Sequence, residues 1–262
     1  MELTYASYLK VDELLDLQEF QSDPKEHDEM LFIIIHQTYE LWFKQIIHEL
    51  NFMCYNLDNS NITRAAKAMK RVNTILKVIV HQVDILETMT PLEFNSFRNY
   101  LQSASGFQSY QFRELEFLLG NKKEKMIEYF ESNPDAHNSL RDLYQKPTVW
   151  DKVLKFLYAN GHDVPNELLE RDFTKPYEGN EEVQEILIDI YKKALPYASY
   201  LEMLLDFDEG LQEWRYRHVK MVERTIGAKM GTGGSEGAEY LKKTLFQPVF
   251  PDLWAIRSRF EQ

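Results

Sequence analysis

The chain has 262 residues, with 30 Lys plus Arg against 42 Asp plus Glu, giving a formal charge of −12. That balance argues against a surface built for phosphate backbones. Cys54, the single cysteine, excludes an intramolecular disulfide, a cysteine-rich zinc site and a protein-held iron–sulfur cluster.

Ten Gly and nine Pro disfavour a turn-rich all-β fold. The 16 Phe, 15 Tyr and 4 Trp are enough to wall an apolar pocket. Residues 1–13 carry charges at Lys10, Asp12 and Glu13 and do not read as an apolar leader. The longest apolar run, residues 30–35, is far too short to span a membrane. A cytoplasmic protein without nucleic-acid or membrane partners is therefore expected.

Helical periodicity runs through nearly the whole chain. Asp23-Pro24 is expected to open a long helix, with Pro24 in its first turn. Leu31, Ile35, Thr38, Trp42, Ile46 and Glu49 form one stripe, and Phe32, His36, Phe43 and Ile47 form a second. The Asp58–Ser60–Asn61 cluster turns the chain. A second amphipathic helix then follows Ala65, Met69, Val72, Leu76, Ile79, Val83 and Leu86. Thr90-Pro91-Leu92-Glu93 is a capping-box start, and it puts Phe94 and Arg98 on one face. A helix over about 107–119 should stop at Gly120. Residues 121–180 are more polar, broken by several Pro and Gly, and read as a small helical insertion in a single domain over 1–262. A helical stretch over about 181–226, bent near Pro196, precedes a loop holding five of the ten glycines in residues 227–237. One last helix and Pro248 and Pro251 close the chain. The fold class is all-α, a bundle of long core helices.

Four features carry possible chemistry. His218 lies on a seam with Leu211, Trp214, Met221 and Thr225. A lone histidine on such a face is usually a hydrogen-bonded core residue; its functional alternative is an iron ligand. His36 sits within the second stripe of the first long helix and carries the same two readings. Arg98 beside Phe94 is either a surface arginine or a bidentate clamp for a carboxylate. The glycine loop, with hydroxyls at Thr232 and Ser235, lacks the Gly-Lys-Ser/Thr of a phosphate loop. It is either a surface turn or a backbone that approaches a ligand closely. Neither His-Glu-x-x-His nor Glu-x-x-His occurs, which removes the common zinc and di-iron helix patterns. Periodicity and composition name no reaction.

At these residues the sequence resembles the tryptophan 2,3-dioxygenase family. The resemblance rests on blocks in the family's order: residues 3–9, His27 to Trp42, 86–91, Phe94 to Arg98, 105–109, Trp214 to Val219 and 231–235. It implies haem b, one per subunit, with His218 as the axial ligand of the iron. It implies oxidative opening of the indole ring of L-tryptophan by dioxygen to N-formyl-L-kynurenine, the first step of the kynurenine pathway. Carried over residue by residue, His36 would meet the indole N–H, Arg98 the substrate carboxylate, and Thr232 the ammonium and carboxylate end. Phe32, Phe94 and Ser105 would line the substrate pocket. Tyr5 and Tyr8 would belong to a segment capping a neighbour's site in an intertwined homotetramer. Phe94 stands where some members carry Tyr, and Tyr39 where many carry Ser. A non-catalytic haem- or indole-binding protein on the same scaffold is the alternative.

Overall fold

The computed structural model describes residues 2–193, 196–227, 229, 231 and 238–260. Among these the secondary structure is helical, without strands. At the amino end, α1 (Tyr5–Leu9) and α2 (Val11–Leu15) are single short turns. Two long helices follow, α3 (His27–Asp58) and α4 (Ile62–Leu86). Pro24 does not start α3; the helix begins three residues later, after an extended Glu26.

α5 (Pro91–Arg98) opens on the expected capping box. The Thr90 hydroxyl accepts from Glu93 N at 3.4 Å, and the Glu93 carboxylate accepts from Thr90 N at 2.6 Å. α6 (Tyr110–Leu118) ends before Gly120, whose φ of +97° suits glycine alone without strain.

Residues 121–180 divide into two parts. The first holds α7 (Lys125–Glu128) and α8 (Pro134–Gln145), where Met126, Ile127, Phe130 and Leu140 form a small separate cluster around Phe117. The second holds α9 (Val149–Ala159) and the short α10 (Asn166–Leu169). α9 sends Val149, Trp150, Val153, Leu154 and Leu157 into the main core. Apolar spacing on α9 outweighs the polar composition around it.

The stretch expected as one bent helix is two. α11 (Glu181–Lys192) precedes α12 (Pro196–Ile226), with Pro196 at the start of the second helix because its ring fits a first turn and not an interior. Beyond the glycine loop come α13 (Ala238–Lys242) and α14 (Pro251–Ala255). Pro251 therefore starts a helix rather than closing the chain. Asp208 on α12 fastens this end by accepting from Val249 N, Phe250 N and Trp254 Nε1 at 2.8–3.0 Å.

The frame that positions the site is a triad of long helices. α4 packs along both α3 and α12, whereas α3 and α12 lie further from each other. Contact between α4 and α12 is close at Gly210, where a Cβ would meet Leu76 Cδ2 at 2.9 Å. Asn73 on α4 also donates to Met203 O of α12 at 2.8 Å. The space between α3 and α12 is closed from the side by α5 and α6.

The amino-terminal arm is built differently. α1 and α2 pack on each other and contain no buried residue. Leu3, Tyr5, Tyr8, Leu15 and Leu17 are all strongly exposed. Its base is fixed: Gln37 on α3 donates to Leu17 O at 3.0 Å, and the buried Glu29 carboxylate accepts from Gln21 N, Ser22 N and Ser22 Oγ. No described helix is long and apolar enough to cross a membrane.

Candidate active site

A cavity of about 280 Å³ lies between α3 and α12, with walls from α5 and α6. Phe32, His36, Phe94, Arg98, Ser105 and His218 all line it, brought together from four parts of the chain.

The α3 wall is set by i, i+4 spacing. The His36 ring lies over Phe32, centroids 4.1 Å apart, and Nδ1 lies 2.7 Å from Phe32 O. A carbonyl only accepts, so Nδ1 carries the proton. Nε2 of the neutral ring is then an acceptor on a side chain that lines the cavity. Burial lowers the His36 pKa, partly offset by that hydrogen bond and by Glu40 one turn on. Phe94 and Phe97 complete an aromatic cage about Phe32, with centroids 5.4–5.7 Å apart. Arg98, one turn beyond Phe94, is half-buried at the cavity's edge. Ser105 caps the 3-10 turn Gly106–Gln108, its hydroxyl accepting from Phe107 N at 3.3 Å.

The α12 wall presents His218. Its ring stacks on Trp214, with centroids 5.2 Å apart and planes 21° from parallel. His218 is half-buried and lines the cavity. Burial pushes its pKa down to about 4, with a further small contribution from His36, so it is neutral at physiological pH. Among the described residues it makes no hydrogen bond, unlike His36, and the Trp214 Nε1 beside it is also unpartnered. A neutral imidazole without a hydrogen-bond partner among the described residues, facing a mostly apolar cavity, has the donor chemistry of a haem-iron ligand. The residues present therefore fit such a group.

Tyr39, one turn before Phe43 on α3, donates its hydroxyl to Ile79 O at 2.8 Å. Burial raises its pKa to about 12, so the phenol stays neutral. Tyr5 and Tyr8 do not reach the cavity of their own chain; they stand on the exposed arm. Thr232 and Ser235 lie outside the described residues, although Gly231 and Leu241 on either side of the loop line the cavity.

Comparison with known proteins decides the family. A family model described as Tryptophan 2,3-dioxygenase matches residues 1–142 and 131–260. The chain belongs to the tryptophan 2,3-dioxygenase family. A tryptophan 2,3-dioxygenase of Herpetosiphon aurantiacus is 56% identical over 256 residues, covering 98% of each chain. One from an Anaeromyxobacter species is 49% identical, covering 97% of this chain and 95% of its own. One from an Arthrobacter species is 44% identical, covering 99% and 93%.

Sequence reading missed several polar groups that this tryptophan 2,3-dioxygenase family member holds in the cavity wall: Glu40, Arg113, Glu116 and Arg215. All are charged, and a charged residue on a helix reads as solvated. Spacing was the available signal, since Glu40 follows His36 by four and Arg215 precedes His218 by three, each pair sharing a helix face.

Proposed function

We propose that this chain catalyses the opening of the indole ring of L-tryptophan by dioxygen, giving N-formyl-L-kynurenine, at the cavity between α3 and α12. The observation that carries the reading is the pair of neutral histidines on opposite walls, one hydrogen-bonded through Nδ1 and the other without a hydrogen-bond partner among the described residues. His218 would hold haem b as the axial ligand. When bound, the haem supplies the electronic means for triplet dioxygen to react with a singlet indole, and the protein supplies position and environment.

The chain's own residues sort the substrate's two ends. Arg98 would take the α-carboxylate at the cavity edge, as a guanidinium fork suits it, with Thr232 completing the amino-acid end. Phe32 and Phe94 would pack the indole, with Ser105 on the same lining. His36 Nε2 would accept the indole N–H, fixing the ring's orientation. No net proton removal is required of His36, because both oxygen atoms end in the product. The ring then acts by positioning and by discrimination. An analogue lacking the N–H leaves a buried acceptor unpaired, a loss of about 1–3 kcal/mol.

The arm fits a role outside its own subunit. Its exposed Leu3, Tyr5, Tyr8, Leu15 and Leu17 would be covered by a neighbour in a homotetramer, where Tyr5 and Tyr8 would cap the partner's site. The apolar exposure of Leu41 and Ile34 on α3 and Ile85 on α4 supports the same assembly. A cytoplasmic location completes the reading.

Protein loaded with haem, reduced and supplied with air and L-tryptophan, is expected to accumulate N-formylkynurenine with matching oxygen uptake. Haem binding with no turnover under those conditions would contradict the proposal.

A further inference from the structure

The roles above leave the sulfur atoms of the cavity unused. Among the described residues, Met89 and Met221 are the methionines that line it. Both belong with Phe94 and Phe97, Met89 within that cluster and Met221 packed against it. Met53 and Met69 are enclosed in the main core, and Met30 and Met203 are half-buried away from the cavity.

Met221 differs from Met89 in access and in its neighbour. Met89 is buried, whereas Met221 is half-buried on the lining. Met221 follows His218 by three residues on α12, so the two share a face. Its Sδ lies 3.9 Å from Thr225 Oγ1, one turn further on, while that hydroxyl donates to Met221 O at 2.8 Å. Thr225 lines the same cavity. A leucine would fill this gap as well as a thioether does. Leucine lacks the sulfur lone pair, and the reaction in this cavity consumes dioxygen. An oxygen atom added to the sulfur on the Thr225 side falls within reach of the hydroxyl, which can turn to it from the backbone carbonyl. The polar product is then not left unpaired in an apolar wall.

We infer that Met221 is an oxidation site that switches the cavity off: its thioether takes one oxygen atom from hydrogen peroxide formed there, and Thr225 holds the resulting sulfoxide. The inference rests on the haem reading, which brings dioxygen and electrons to the His218 face. Without tryptophan to consume it, dioxygen takes two electrons from the reductant that keeps the iron ferrous, and two protons from water, giving hydrogen peroxide. The sulfur lone pair attacks one peroxide oxygen and the O–O bond breaks. Sulfur is oxidised by two electrons, and the second oxygen leaves as water with both protons. A flexible apolar side chain becomes a polar one against the wall of Phe94 and Phe97, where the indole would pack. The change is reversible, because methionine sulfoxide reductases return the thioether.

The test holds haem-loaded protein with ascorbate under isotopically labelled dioxygen, without tryptophan and with catalase in solution. Each methionine peptide is then read by mass spectrometry. Labelled sulfoxide is expected at Met221 well before Met30 and Met203, since catalase removes peroxide that escapes but not peroxide consumed where it forms. Activity toward tryptophan, relative to each protein's own starting rate, is expected to fall in step with that sulfoxide and to return with methionine sulfoxide reductase. Met221→Leu is expected to lose activity severalfold more slowly. Thr225→Val, oxidised to the same extent, is expected to lose more thermal stability than the wild type. Absence of label at Met221, or its complete suppression by catalase, would overturn the inference. Equal inactivation of Met221→Leu, or activity that does not return with the reductase, would overturn the switch. Wild-type protein that develops no Soret band with hemin would defeat the haem reading, and the inference with it. Labelling and reductase rescue of the wild type decide the matter if a variant does not fold.

Discussion

The cavity between α3 and α12 and the arm formed by α1 and α2 solve opposite problems. The cavity is self-sufficient at its ligand pole: α4 sets the spacing of the two helices, Trp214 fixes the His218 ring, and Phe32 O fixes His36. The arm has no buried residue of its own and turns Tyr5, Tyr8 and Leu15 outward, while Gln37 and Glu29 pin its base. One chain on its own thus builds a walled cavity around His218 and His36, and leaves the apolar side chains of its arm exposed.

That division yields graded expectations. Arg98→Ala removes a charge at the cavity's edge and leaves the His218 wall intact. It should cost roughly 2–5 kcal/mol in kcat/KM for tryptophan if the ion pair is well desolvated, with haem content unchanged. Unaltered kinetics would move the carboxylate site elsewhere. Removing residues 2–15 should lower kcat/KM on the order of 10²-fold, as loss of orientation does, without changing the thermal stability of the body. A mixture of Tyr5→Ala,Tyr8→Ala chains with Arg98→Ala chains should regain activity, because each assembly then holds some intact combinations. Mixtures no better than the separate variants would place the arm's action within its own subunit.

Smaller effects sharpen the α3 wall. His36→Ala should retain haem and weaken the preference for a free indole N–H over its N-methyl analogue, by about 1–3 kcal/mol. The pH dependence has a definite sign. Burial lowers the His36 pKa below 6.5, so the ring stays neutral through the physiological range and protonates only on further acidification. Tryptophan binding should therefore weaken on the acid side, below 6.5, and remain flat above it. Binding to His36→Ala should lack that acid limb. Thr90→Ala, which removes the cap of the helix carrying Phe94 and Arg98, should cost about 1 kcal/mol of stability in thermal or denaturant unfolding.

Local signals were the legible ones. The capping box at Thr90, the stop at Gly120 and the seams of α3 and α12 follow from short-range rules, and the structure reproduces each. Six of the candidate site residues meet at one cavity: Phe32, His36, Phe94, Arg98 and His218 sit on helix faces that periodicity defines, and Ser105 on the turn before α6. What stayed hidden needed distant partners. A charged residue at helical spacing reads as solvated, and for Arg113 no neighbouring candidate shared its face, so its burial shows only in the folded chain. Polar composition over 121–180 masked α9, whose apolar face enters the main core. Pro196 and Pro251 punctuate in either direction; only the flanking packing makes them helix starts. Apolar residues of the arm look like core in a sequence, and only the folded chain shows them exposed.

The proposed bond between His218 and a haem iron bears the most weight. The direct measurement is the visible and near-ultraviolet spectrum of wild-type and His218→Ala protein, each purified, loaded with hemin and then reduced. A strong Soret band in the wild type, lost or shifted to that of unligated or bis-exogenous haem in the variant, is the expected result. Identical spectra for the two proteins would contradict the assignment of the α12 wall as the haem-binding side.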